Sequence, residues 1–189
     1  MARATKGKTL FVIESASGKV TRTLDDVDQP LAAIAVSNDG KLVLAAKGTT
    51  VRLHGTDLTL TARSEVQQVA FDAEARLFAV GDRGGFAWFG VDGKQLGRIE
   101  TADAVGSISF TGDRLVAASA DGTVSIVSMK TNKRVLRAGV APDSGWLQDG
   151  EGQTVLFGAA KGASVCRVGA LVFPLELCAE LLRERVALE

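Results

Sequence analysis

The sequence predicts an all-β protein assembled from repeated four-stranded antiparallel units. Two observations carry this. A short figure of turn, alternating run, turn and second run recurs at a spacing near 40 residues, and within each run apolar side chains fall at every second position. Self-similarity at that period marks a repeat architecture in which one supersecondary module is copied along the chain.

The figure is clearest at residues 120–138, ADGTVSIVSMKTNKRVLRA. Related stretches lie at 6–24, 47–62, 83–99 and 161–173, and their leading glycines are Gly7, Gly48, Gly84, Gly122 and Gly162, in steps of 41, 36, 38 and 40 residues. A second ladder lies between them, beginning at Leu31, Val66, Val105 and Ser144, and each member reads as strand, polar turn, strand. Val124 and Ile126 share one face of TVSIVS, and Val51 and Leu53 share one face of VRL. Period-two alternation over five or six residues is the pattern of a half-buried strand. Asn38-Asp39-Gly40, Asp92-Gly93 and Asp121-Gly122 supply turn residues that accept positive φ at low cost. Each full unit is thus four strands, a to d. The expected core includes Ile34, Val36, Leu44, Val69, Phe71, Phe78, Ile108, Phe110, Val116, Val124 and Ile126.

Bulk properties narrow the function classes. Of 189 residues, 46% are hydrophobic, enough for a real core. Lys plus Arg and Asp plus Glu are both 22, so the basic excess of a dedicated nucleic-acid binder is missing. No apolar run reaches the roughly 18 residues a membrane span needs, and the opening MARATKGKTLFVIE lacks the apolar core of a leader. No nucleic-acid or membrane partner is expected, and a cytoplasmic location is. Cys166 and Cys178 are too few and wrongly spaced for a disulfide framework or a zinc site.

The repeat resembles the WD-repeat family of β-propellers. ADGTVSIV (120–127) is similar to that family's turn and third strand, SNDGKLVLAA (37–46) to its second strand, and ASGKVTRTL (16–24) to its fourth. The match is degenerate. The family's Trp-Asp pair is replaced by Ile13-Glu14, His54-Gly55, Phe89-Gly90 and Val127-Ser128, and its Gly-His dipeptide is missing. The resemblance implies a propeller of about four to five blades over residues 1–173: three complete, at 31–62, 66–99 and 105–137, with partial blades at either end. Such a ring is small, partial or completed by another chain. Residues 174–189, PLELCAELLRERVALE, form a separate segment, an expected amphipathic helix starting at Pro174 with Leu175, Cys178, Leu181, Leu182 and Val186 on one stripe.

No chemistry stands out. His54 is the single histidine and occupies a structural position; no Ser in a strained turn accompanies it. TKGKT (5–9) and GDRGG (81–85) lack the contexts of phosphate and dinucleotide loops. The acidic stretch DDVDQP (25–30) lacks calcium-loop spacing. No enzyme activity, cofactor or metal is expected. The resemblance implies a non-enzymatic protein-interaction scaffold that holds a partner by the loops of one face. Asp25, Asp26, Asp28, Arg63, Glu65, Arg83, Asp103, Asp121, Asp143 and Trp146 are the candidate contacts, on a face where carboxylates outnumber cations. Two alternatives stay open: a regulatory or sensor segment of a larger protein, and a small-ligand-binding or hydrolytic propeller. Self-association through an open blade edge or the terminal helix is a further expectation.

Overall fold

The computed structural model describes residues 2–4, 9–25, 27, 30–141, 144–160, 163–168 and 171–174. They form two compact units, the first within 1–112 and 117–121, the second within 113–116 and 122–189.

The first unit opens with a three-stranded sheet, β1 (Ala2–Ala4), β2 (Leu10–Ile13) and β3 (Val20–Leu24), in the order β1-β2-β3. Two four-stranded antiparallel sheets follow in simple up-and-down order. One holds β4 (Ala33–Val36), β5 (Val43–Lys47), β6 (Thr50–His54) and β7 (Asp57–Thr61); the next holds β8 (Val66–Phe71), β9 (Leu77–Asp82), β10 (Gly85–Gly90) and β11 (Gln95–Glu100). β12 (Val105–Thr111) lies against β8 and β9. These are the repeat's units with nearly the expected bounds.

Apolar faces of neighbouring sheets close on one another. Leu10, Val12 and Val27 meet Val43 and Ala45. Leu44, Ala46, Val51 and Leu53 meet Val66, Val69, Phe78 and Val80. Phe78 stacks on Phe89 at 5.2 Å between centroids and receives the edge of Phe71. Each large apolar side chain buried this way contributes about 1.5–3 kcal/mol, so sheet-against-sheet burial dominates the energetics. Trp88, on β10, is 2% exposed. Its ring covers Gly97, its register partner on β11, so closely that a Cβ at Gly97 would overlap the indole.

β13 (Arg114–Ser119) spans the division between the units. The second unit continues with β14 (Thr123–Ser128), β15 (Lys133–Ala141), β16 (Ser144–Asp149), β17 (Thr154–Ala160), β18 (Ala163–Val168) and β19 (Leu171–Pro174), each paired antiparallel with the next. The spacing predicts a break after Arg137, between two blades. The structure shows none: β15 extends to Ala141 and pairs with β16 from Leu136↔Asp149 to Ala141↔Ser144. Only positions 142 and 143 separate the strands, and a two-residue connection makes a hairpin instead of a step to a new sheet.

Two further expectations are revised. In β14 Thr123, Ser125, Val127 and Ser128 are buried while Val124 and Ile126 are half-buried. The face expected to be wet is the better covered one, and small hydroxyl side chains occupy it. Pro174, expected as the first helical residue, is instead the closing residue of β19. The expected helix over 175–189, with Cys178, lies outside the described residues.

One irregularity repeats. β2–β3, β10–β11 and β14–β15 shift register at Val12/Ile13, Trp88/Phe89 and Ile126/Val127. Thr21, Leu96 and Val135 are the extra residues, each on the later strand of its hairpin. Such a bulge bends its strand and raises local twist.

Candidate functional site

The turns between second and third strands share a face with the linkers that lead into each first strand, and backbone hydrogen bonds knit the two. Ala32 donates to the Ala46 carbonyl, Arg83 to Glu65 and Ala120 to Ala104, at 2.8, 3.2 and 2.8 Å. Gly48 accepts from Val66, tying one sheet's turn to the next sheet's first strand. Side chains on these turns therefore project from a fixed frame.

The most ordered part of this face surrounds the β9–β10 turn. Arg98 of β11 grips Asp82 of β9 with two hydrogen bonds, at 2.9 and 3.1 Å. The same guanidinium reaches Glu100 at 2.8 and 3.1 Å, and Arg63 reaches Glu100 at 2.9 Å. Arg83 pairs with Glu65 at 2.6 Å. The ladder thus begins with a buried pair, Asp82 at 0% and Arg98 at 10% side-chain exposure, and ends at the exposed Glu100 and Arg63, with Glu65 and Arg83 forming a separate, about half-exposed pair. Burial opposes ionisation of Asp82, but the hydrogen bonds from Arg98 and the Gly84 amide outweigh it and hold the carboxyl below its ordinary range. Arg98 holds Glu100 low as well. Ser64 Oγ is buried beside Asp82 without a hydrogen bond of ordinary geometry; its dipole also favours the carboxylate.

Sequence reasoning named Arg63, Glu65 and Arg83, and the structure brings these together. It missed Asp82, Arg98 and Glu100, of which Glu100 holds Arg63. A carboxylate ending the apolar run LFAVGD was the available signal, since a buried charge requires a partner. Asp25 accepts from Thr9 Oγ1 at 3.2 Å. Asp103 caps its own linker, its carboxylate accepting from the Ala104 amide and its carbonyl from Thr101 and Ser119. Asp121 is half-buried in the β13–β14 turn. Trp146 belongs to the second unit, half-buried on β16, covering Gly139 of β15, with the Arg137 guanidinium 5.3 Å from its ring. Asp26, Asp28 and Asp143 lie outside the described residues.

Two concavities accompany the ladder. A cleft of about 790 Å³ lies on the opposite rim, where the β2–β3 and β4–β5 connections meet, with Glu14, Arg22, Asp39 and Lys41 giving it mixed charge. A groove of about 450 Å³ runs beside the β5–β6 turn, and Lys47, Arg52 and His54 line it. On a face where carboxylates were expected to outnumber cations, the described charged residues that line this groove are cationic. His54 is half-buried; desolvation, then the charges of Arg52 and Arg22, push its pKa below the ordinary imidazole value.

No protein-family model and no curated protein matches the sequence. Among solved structures the β-propeller domain of Cps50 (Swd1) from Myceliophteria thermophila matches with a TM-score of 0.55 at 15% identity, over 81% of this chain. The chain spans 59% of the length of that one. A likeness at that identity carries the fold: the architecture is that of a β-propeller.

Proposed function

We propose that this propeller is a non-enzymatic protein-interaction scaffold that holds a partner by the face bearing the β5–β6, β9–β10 and β13–β14 turns. The observation that carries the reading is the charge ladder. Arg63, Glu65, Arg83 and Glu100 are presented to solvent in both signs from turns and strand ends fixed by backbone bonds; the buried Asp82–Arg98 pair roots Glu100 and through it Arg63, and Arg83–Glu65 forms a second pair beside them in sequence. Preorganised loops on a rigid scaffold are where recognition concentrates, and a patterned charged rim governs partner choice and encounter rate.

The test is partner recovery from native extract with the double variant Arg63→Glu, Arg83→Glu beside the unaltered chain. Recovery falling roughly tenfold, with encounter slowing as salt rises, supports the reading. Undiminished recovery by a folded variant counts against it.

A further inference from the structure

Among the described residues one buried side-chain oxygen makes no hydrogen bond of ordinary geometry: Ser64 Oγ. Ser64 stands in the 62–65 linker between Arg63 and Glu65, the two charges this linker contributes to the face. A methyl group built on Gly84 would lie 3.7 Å from Asp82 Oδ1 and 3.8 Å from both Arg98 Nη2 and Ser64 Oγ. Three polar atoms thus converge on one point above that glycine. Asp82 Oδ1 already accepts from the Gly84 amide at 2.8 Å, and Arg98 Nη2 uses its two hydrogens on Asp82 and Glu100. The next linker is anchored differently. There the Ser119 hydroxyl donates directly to the Asp103 carbonyl at 2.9 Å, with the Ala104 carbonyl at 3.3 Å. One repeat step of 38 residues before Ser119 stands Gly81, where a Cβ would collide with the Val105 side chain at 2.7 Å. The linker before β8 therefore cannot be tied in the same way, and its own hydroxyl points at Asp82 instead.

We propose that one water molecule is held over Gly84, accepting from Ser64 Oγ and donating to Asp82 Oδ1, and that through it Ser64 is a positioning residue for Arg63 and Glu65. The role given to those two charges rests on the scaffold reading above. Buried polar groups pair with protein or with ordered water, and a buried water needs space and at least two polar partners. The point above Gly84 supplies both: no heavy atom beyond its chain neighbours lies closer than 3.7 Å to it, and an acceptor and a donor face it. A bridge of this kind is enthalpically nearly as good as a direct hydrogen bond. It ties the middle of the linker to a carboxylate that Arg98 and the Gly84 amide already fix. The charges on either side of Ser64 then leave the backbone from a held point.

The experiment is a double-mutant cycle on the full chain, with Ser64→Ala, Gly84→Ala and the pair, read by denaturant unfolding and by amide hydrogen exchange. Gly84 does not adopt a left-handed φ, so the added methyl fills the water's place without backbone strain. In the unaltered chain Gly84→Ala strands the Ser64 hydroxyl and is expected to raise the unfolding constant by about fivefold or more. In the Ser64→Ala background nothing is stranded, and the same change is expected to stay within about twofold of neutral or to stabilise. Equal losses in the two backgrounds overturn the proposal. Exchange supplies the positional readout. Ser64→Ala is expected to speed exchange of the Val66 and Arg83 amides, whose bonds to Gly48 and Glu65 hold the linker, by about fivefold or more, with the Val51 and Leu53 amides of β6 unchanged. A uniform rise at all four amides signals plain destabilisation and overturns the positioning role. A crystal structure with a solvent peak at about 3 Å from both Ser64 Oγ and Asp82 Oδ1 supports the bridge; a direct Ser64–Asp82 bond overturns it. If natural-partner recovery falls with Arg63→Glu, Arg83→Glu while the cycle is additive, the water anchor is refuted and the scaffold stands.

Discussion

Trp88 in the first unit and Trp146 in the second each lie flat across a glycine on the neighbouring strand, Gly97 and Gly139. Their surroundings differ. Trp88 is almost wholly buried, with Phe86 6.2 Å away, in a four-stranded sheet that stops at its own fourth strand. Trp146 is half-buried, topped by an arginine, in a ladder that runs on without a break from β14 to β19. The difference shows what a linker does. Four residues, 62–65, separate β7 from β8, so the chain can leave one sheet and start the next; two residues, 142 and 143, only turn it back. A sheet that ends can be covered on both faces by neighbours, and its tryptophan becomes core.

The comparison is tested most strongly by truncation. Trp88→Ala is expected to cost about 3–5 kcal/mol, the range for large aromatic residues in cores, and Trp146→Ala about 1–2 kcal/mol, since a half-buried ring hides less apolar area. Denaturant unfolding followed by probes of each unit checks this, and equal losses would dissolve the distinction. Next comes the buried pair, which sharpens the contrast because an ion pair within the second unit, Lys130–Asp113, is exposed. Asp82→Ala removes the buried carboxylate from Arg98, leaving it only the exposed Glu100 among the described residues, and is expected to cost about 3 kcal/mol. The folded-state pKa of Asp82 lies below its ordinary value of 3.8. Its stabilisation is therefore complete above that value and fades as pH falls through the folded pKa. The Asp82→Asn protein should lose less stability than the unaltered chain between pH 5 and pH 2, on the order of 1 kcal/mol less per unit of pKa depression; parallel acid curves would remove the carboxylate from the account. The smallest effect is steric. Gly97→Ala forces the Trp88 ring aside and should cost about 1–3 kcal/mol. Gly139→Ala should cost under about 1 kcal/mol, because the Trp146 ring can swing toward solvent where overpacking is relieved; a larger loss at Gly139 would show that the second unit is packed as tightly as the first.

Much of the fold could be read from the chain. The glycine steps and the alternation of Val51 and Leu53 located β6, which has one wet and one dry face, while β5, β9 and β10, covered on both faces, were legible only as short apolar runs between turns. β14 defeated the same reasoning: with both faces covered, its small hydroxyl residues went inside and the period-two pattern inverted. The β15–β16 hairpin was hidden by the repeat itself, whose spacing implied a boundary that the short connection forbids. At the candidate site the exposed members Arg63, Glu65 and Arg83 were legible as charges on turns. Their organiser was not, because Asp82 and Arg98 stand 16 residues apart and only strand pairing brings them together.

The extra residue at Thr21, Leu96 and Val135 has a consequence for how this chain can vary. Because each hairpin absorbs one surplus residue at the same depth, the segments beyond it (14–19, 91–94 and 129–132) are uncoupled from the hydrogen-bond phase of the sheets that carry them. Length and chemistry can change at those tips with no slip in the pairing beneath, which makes each of them a place to graft new sequence onto an undisturbed frame.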